Sequence, residues 1–345
     1  MRITLAYNLR QEEDESQAEL YTEEDIERFR SALVSLGHQV SPVEVTGKGG
    51  EVVDRLLDSR PELVFNVAEG LDGQSREAYY PALYERLGLP YTGSPASTLH
   101  VALDKRLLEK ILETRGLRVP RGALITPADP DLPEDVPLPW FIKPNYEGSS
   151  KGISQDSVVE EAQEAEDVVS ELLEKYTEGL VIEQFIEGRE LTVPWLEAWP
   201  GGILEVVEWL IDHPGDHDIM DFEVKKDGGV KEALEPRCPA ELEAEQRQNV
   251  LGLADRASHV LFPRDLGRVD IRLASDGTPY LIELNPLPSL RPNYSMMIGA
   301  RTKGLDEEEV LALIVRSAAE RYSLSLRPPL RPRGVHGEER PTVRE

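Results

Sequence analysis

Residues 267–289, GRVDIRLASDGTPYLIELNPLPS, constrain this chain more than any other stretch. Val269, Ile271 and Leu273 alternate with Arg268, Asp270 and Arg272. Beyond Asp276-Gly277, Tyr280, Ile282 and Leu284 alternate with Leu281, Glu283 and Asn285. Period-two alternation around an Asp-Gly pair predicts two half-buried antiparallel strands joined by a two-residue turn. That register sets Asp270 opposite Glu283 and Arg268 opposite Asn285 on one polar face. Opposed Cβ atoms stand about 5 Å apart, so the two carboxylates repel unless a proton, a cation or a metal intervenes. Asp, Glu and Asn offer only hard oxygen donors, the set that suits Mg²⁺ or Mn²⁺ beside phosphate. A solvated strand face neutralised by Arg268 accounts for this stretch equally well, and the rest of the chain has to decide.

A length of 345 residues predicts two or three packed units. The 65 acidic against 38 basic residues, a net charge of −27, argue against nucleic acid or an anionic membrane as a partner. Cys238 is the only cysteine, which excludes a disulfide framework and a thiolate metal site. With no N-terminal apolar run, a cytoplasmic location is the expectation.

Residues 2–7 predict a first strand. Thr22 as N-cap, an acidic first turn, the stripe Ile26, Phe29, Leu33 and Leu36, and the stop at Gly37 predict a helix. A strand over 39–45, a short helix near 52–57 and a strand over 63–67 continue the rhythm of an open parallel sheet. Ligands of such sheets gather at the carboxyl ends of strands. There lies NVAEGLDGQ (66–74), which a plain surface loop also explains. Helices are expected over 76–87, stopped by Gly88, and around Asp104-Lys105, closed at Gly116.

Past a proline-rich linker, WFIKP (140–144) predicts a strand running into NYEGSSKG (145–152). A strand lysine ahead of a Gly/Ser loop can grip phosphate through charge and free N–H groups, although the Walker pattern is absent. An acidic helix is expected over 158–176. The apolar strand LVIEQFI (180–186) carries Glu183 and turns through Glu187-Gly188 into RELTV. Such a connector lets backbone groups meet a base while a carboxylate takes ribose hydroxyls. Strands near 203–210 precede a polar segment, 213–237, expected as a lid. A helix over 240–261 leads into the hairpin, RPNYS (291–295) follows it, and a helix over 306–322 ends the ordered chain. Residues 326–345, rich in proline and charge, predict a disordered tail.

Taken in order, LGLPYTGS (87–94), LDK (103–105), IKPNYEGSSKG (142–152), IEQFIEGRELTV (182–193), GRVDIR and LIELNPLPS resemble the ATP-grasp ligases, most closely the D-alanine:D-alanine ligase family, over about residues 63–324. The resemblance implies an N-terminal open parallel α/β unit (1–98) and two α+β ATP-grasp units (99–188 and 189–325) that clamp ATP. It implies an ADP-forming ligase that makes an amide bond through an acyl phosphate, and a homodimer acting on small-molecule amino acids or carboxylates. Lys105, Lys143 and Lys225 match its phosphate lysines, and Ser149 and Ser150 its phosphate loop. Gln184, Phe185 and Ile186 match the connector at adenine, with Glu183 and Glu190 as the acids at the adenine and ribose ends. Asp270, Glu283 and Asn285 match ligands of two Mg²⁺ ions, with Mn²⁺ as the substitute, and Arg268 matches the arginine at the reacting carbonyl; Arg268, Ser149 and Lys225 form the catalytic set.

The departures gather at the substrates. Glu69 replaces a histidine, Lys226 a tyrosine and Ser289 a glycine, the glycine-rich first loop is missing, and Arg291, Tyr294 and Ser295 crowd the place of a small second amino acid. The expectation is a carboxylate-amine ligase with substrates other than two D-alanines. The alternatives are a thiol or longer peptide acceptor, or an ATP-binding module without turnover.

Overall fold

The computed structural model describes residues 1–12, 14–212, 217–222 and 234–326. Strands β1 (Arg2–Tyr7), β2 (Gln39–Glu44) and β3 (Leu63–Asn66) form a parallel sheet in the order β2-β1-β3. Its helices are α1 (Glu23–Ser35), α2 (Gly49–Asp58) and α3 (Arg76–Leu87). The start of α1 is set by a capping box, in which the Thr22 hydroxyl accepts from the Asp25 N–H while Asp25 reaches back to the Thr22 N–H. Phe29 and Leu33 of that helix bury against Ile3, Leu5, Leu63 and Phe65; Val52, Leu56 and Tyr84 fill the other side of the sheet.

One helix was expected around Asp104; two are present, α4 (Ala96–Leu103) and α5 (Lys105–Thr114). Asp104 is extended (ψ 92°), and its carboxylate accepts from the Leu107 N–H. An Asp that caps the next helix competes with continuing the previous one. The break aims Lys105 out of the first turn of α5.

The second sheet is antiparallel, with β4 (Gly122–Ile125), β5 (Trp140–Pro144), β6 (Val158–Val159) and β7 (Leu180–Gln184) in the order β4-β7-β5-β6. Helix α6 covers it over Ala162–Lys175, not from 158 as expected. Val158 and Val159 instead pair with Phe141 and Trp140, since β-branched residues gain more on a pleated surface than in a helical turn.

The third sheet, β10-β9-β8-β11-β12, is built from β8 (Gly188–Leu196), β9 (Val207–Ile211), β10 (Leu234–Arg237), β11 (Leu266–Ala274) and β12 (Pro279–Asn285). Helix α7 (Ala244–Leu261) packs Val250, Leu253 and Ala257 against Leu191, Val269 and Ile271.

The hairpin β11–β12 forms, but its turn has three residues rather than two. Ala274 N–H donates to the Thr278 carbonyl and Gly277 N–H to the Ala274 carbonyl, with Gly277 at φ +82°. Next to the turn, Ile271 faces Leu281 and Arg272 faces Tyr280, one residue away from the expected pairing. A bulge at Ile282 then cancels the offset, so that Asp270 faces Glu283 and Arg268 faces Asn285 as expected. The extra residue also changes which side chains are inside: Leu281 and Leu284 enter the core, whereas Ile282, expected there, lines a cleft.

Helices α8 (Ser295–Thr302) and α9 (Glu307–Arg321) close the described chain. Val310, Leu311, Ile314 and Ala318 of α9 return to the core of the first sheet beside Phe29 and Leu33. Among the described residues no helix is long and apolar enough to cross a membrane. The expected tail lies outside them from residue 327 onward.

Candidate active site

A cleft opens between the second and third sheets, on either side of the connector 185–187 that joins β7 to β8. The first wall is β5 and β7. Lys143 Nζ pairs with Glu183 Oε1 at 2.7 Å, both side chains 3% exposed. Burial works against the lysine's charge, but Glu183 and Glu109 outweigh it and hold its pKa above the ordinary value. Behind them, burial and Glu183 push the Glu109 carboxyl up to about 8.

The rim is the loop 145–152. Asp104 anchors it, accepting from Asn145 Nδ2 (2.9 Å) and the Tyr146 hydroxyl (2.8 Å). The same anchor brings Lys105 to the cleft, its Nζ donating to the Glu147 carbonyl and lying 3.5 Å from Glu283 Oε1. Ser149 and Ser150 take φ of 51° and 60°, a left-handed conformation rare for residues other than glycine. Non-glycine residues held there carry strain, and such strain concentrates at ligand-binding loops. Ser150 Oγ donates to the Met220 carbonyl at 2.6 Å, which folds segment 217–222 over the rim.

The opposite wall is β8, β11 and β12. Asp270 sits between Thr192 of β8 and Glu283 of β12 in the ladders. It accepts from Thr192 Oγ1 (3.0 Å) and from Arg268 Nε (3.0 Å), and Arg268 Nη2 lies 2.9 Å away. Burial raises the Asp270 pKa, Glu283 adds to the rise, and Arg268 pulls against both. The arginine is itself held above its ordinary value, with Asp270 and Glu283 prevailing over burial.

Of the residues singled out in the sequence, Lys105, Lys143, Ser149, Ser150, Glu183, Gln184, Phe185, Ile186 and Glu190 line this one cleft. So do Arg268, Asp270, Glu283, Tyr294 and Ser295. Asn285 stands in register with Arg268, but its Oδ1 accepts from the Leu287 N–H, and it is not among the lining residues. Ser289 Oγ accepts from the Arg291 N–H. Arg291 turns away to Asp25 (3.0 Å) and lies over the Tyr21 ring, bridging the last third of the chain to α1. Lys225 and Lys226 lie outside the described residues.

Glu69 is buried at the end of β3, where burial, Glu77 and Glu19 raise its pKa well above the carboxylate range. Beside it Glu19 bridges Arg76 (2.8 Å) and Lys151 (3.0 Å). Burial opposes the charge of Glu19, but those two cations bring its pKa down to about 2.

Sequence reasoning missed Lys151, Arg272, Trp209 and Ile282, all lining the cleft. Arg272 was within reach, since period two puts it on the face of Arg268 and Asp270. Lys151 stands inside the motif IKPNYEGSSKG (142–152). Ile282 needed the bulge, and Trp209, whose Nε1 donates to Thr192 at 3.3 Å, needed the partner strand.

The family model for the D-Ala-D-Ala ligase C-terminus matches residues 128–316. A protein of Sinorhizobium fredii described as uncharacterized is 28% identical over 299 residues, 85% of this chain and 86% of its own length. The D-alanine–D-alanine ligase of Aquifex aeolicus is 30% identical over 285 residues, covering 82% and 91%. The crystal structure of the D-alanine–D-alanine ligase of Bacillus anthracis complexed with ATP superposes with a TM-score of 0.73 at 21% identity, over 94% of this chain and 99% of that one.

Proposed function

This chain belongs to the D-alanine–D-alanine ligase family, and from that premise we propose that it activates a carboxylate with ATP as an acyl phosphate and passes it to an amine. The fold is that of the ATP-grasp ligases, and family membership carries an ATP-dependent, ADP-forming C–N ligase. The observation that supports the reading best is the meeting of Lys105, Lys143 and Ser150 with the Asp270–Glu283 pair around one cleft.

In this reading Gln184, Phe185 and Ile186 hold adenine with Glu183, and Glu190 takes the ribose. Lys105 and Lys143 neutralise phosphate oxygens, with Lys225 a third cation from the lid. A polyanion repels an attacking carboxylate until cations screen it, so these lysines both hold and enable. Ser149 and Ser150 offer the loop that covers the phosphates. Arg268, fixed by Asp270, donates to the oxyanion that forms as the amine adds to the acyl carbon, and the rim and segment 217–222 keep water from that carbon.

Asp270, Glu283 and Asn285 would hold the two Mg²⁺ ions, with Mn²⁺ as the substitute. No cluster of three or more His, Cys, Asp or Glu suited to a metal occurs among the described residues. The donor set of two carboxylates and an amide nevertheless fits hard cations. Arg268 alone leaves the Asp270 pKa raised, an imbalance that a dication relieves. Bound there, Mg²⁺ supplies charge neutralisation for the triphosphate.

The substrates we propose are small amino acids or carboxylates other than two D-alanines, since Glu69, Glu77, Arg76 and Lys151 put buried carboxyl and cationic groups around the end of β3. A homodimer in the cytoplasm belongs to the same reading. The test is ADP release from ATP and Mg²⁺ over a panel of acids and amines, with product masses read by mass spectrometry and Asp270→Asn as the inactive control. A coupled product absent from the control is the expected result. Best turnover on D-alanine alone would refute the altered substrates, and no ADP above the control on any pair would refute the ligase.

A further inference from the structure

Arg272 stands two residues beyond Asp270 on the same face of β11, opposite Glu190 in the β8 ladder, and is 7% exposed. Its Nε donates to the Ile186 carbonyl at 3.0 Å. Nη1 donates to Glu190 Oε2 and to the Asp218 carbonyl, both at 2.9 Å. The guanidinium lies 5.3 Å from the centre of the Phe185 ring. Nη2, by contrast, is buried and has no hydrogen-bond partner among the described residues.

An arginine cannot shed its proton to escape such a position, and a buried charged donor left unpaired is costly. An acceptor brought into the cleft that Arg272, Phe185, Ile186 and Glu190 line together relieves it. The acceptor class follows from the neighbour. Glu190 already gives one oxygen to Arg272, and its other oxygen can only accept. A vicinal diol satisfies both groups, one hydroxyl oxygen accepting from the guanidinium and the other hydroxyl donating to the carboxylate.

We propose that Arg272 is a specificity-determining residue for the nucleotide, its Nη2 donating to one ribose hydroxyl oxygen while Glu190 accepts from the other hydroxyl. The inference rests on the reading of this cleft as the ATP site. It goes further in assigning the ribose to a carboxylate–guanidinium pair rather than to an acid alone. Because the same guanidinium holds the Asp218 carbonyl, ribose contact and the placement of segment 217–222 share one side chain.

Calorimetric titration of the full chain, with Mg²⁺ and with ATP, 2′-deoxyATP or 3′-deoxyATP, tests it. For the wild type each deoxynucleotide is expected to bind about tenfold more weakly than ATP, the usual scale for one lost hydrogen bond to a charged group. In Arg272→Met, ATP itself weakens about tenfold; the penalty for removing one hydroxyl disappears and the penalty for removing the other persists. Survival of both penalties in Arg272→Met would overturn the proposal. Loss of both would overturn it too, because the arginine would then act only by holding Glu190. Should Arg272→Met fail to fold, Arg272→Gln, which can still donate to the Ile186 carbonyl but lacks Nη2, takes its place with the same expectations; equal affinity of the wild type for all three nucleotides would also overturn the proposal. A wild type that binds no ATP removes the nucleotide site and this inference together, whereas the earlier outcomes leave ATP binding intact.

Discussion

Arg268 is half-buried beside two acids that hold its charge in place, and its Nε and Nη2 both reach Asp270. A cation fixed in this way needs no reorganisation when negative charge develops nearby, which is where an enzyme gains most from electrostatics. Arg268→Met is therefore expected to lower kcat by about 10²–10³ while nucleotide affinity changes little; a coupled ADP assay alongside nucleotide titration separates the two. Glu19 gives a pH prediction. Its carboxyl titrates near 4.5 in an unfolded chain and near 2 in the folded one, so its stabilising charge is fully present above pH 4.5 and is lost as the pH falls toward 2. Removing one partner of a buried ion pair costs about 3–5 kcal/mol. Glu19→Gln should thus be less stable by about that much at pH 7, with the gap to wild type closing on acidification in thermal melts. A gap independent of pH would contradict the assignment.

At the scale of elements, the hairpin that carries Asp270 and Glu283 keeps its register through two opposite irregularities. The three-residue turn shifts the pairing by one and the bulge at Ile282 shifts it back. The turn depends on Gly277 at φ +82°, where an added Cβ would come no closer than 3.4 Å to Gln246. Gly277→Ala should therefore cost only the conformational penalty, about 1–2 kcal/mol, and leave turnover intact because the bulge lies between turn and site. Denaturant unfolding together with an activity assay checks both halves. A variant that lost activity at full stability would show that turn and site are coupled more tightly than the ladder implies.

Over the whole molecule, the two ends of the described chain share one core. Helix α9 packs on α1, and Arg321 of α9 pairs with Asp265 at 2.6 Å. Asp265 also accepts from the Gly93 N–H at 2.6 Å and is itself fully buried. This one carboxylate thus joins Gly93, the entry to β11 and helix α9. Arg321→Met leaves it buried without its cation, with an expected loss of about 3–5 kcal/mol. Faster amide exchange in β1–β3 as well as in α9 would be the sign that the core opens as a unit. Unchanged exchange in the first sheet would mean that the two ends fold independently.

Period, caps and turn residues were enough to find the hairpin, the capping of α1 by Thr22, the stop of α3 at Gly88 and the opposition of Asp270 and Glu283, because each is decided by residues within a few positions or by strict alternation. What the alternation could not show was the bulge, which moves Ile282 from core to cleft and depends on how two strands meet. Nor could any local pattern pair Glu19 with Arg76, 57 residues apart, or Arg291 with Asp25, 266 apart. Those charges are indistinguishable from solvated ones until the sheets pack and exclude water around them. Away from the bulge, the sequence alone determined which faces exist and what chemistry each carries. The tertiary structure decided which faces meet, because burial is a property of the assembled sheets and turns a surface charge into one that must find a partner.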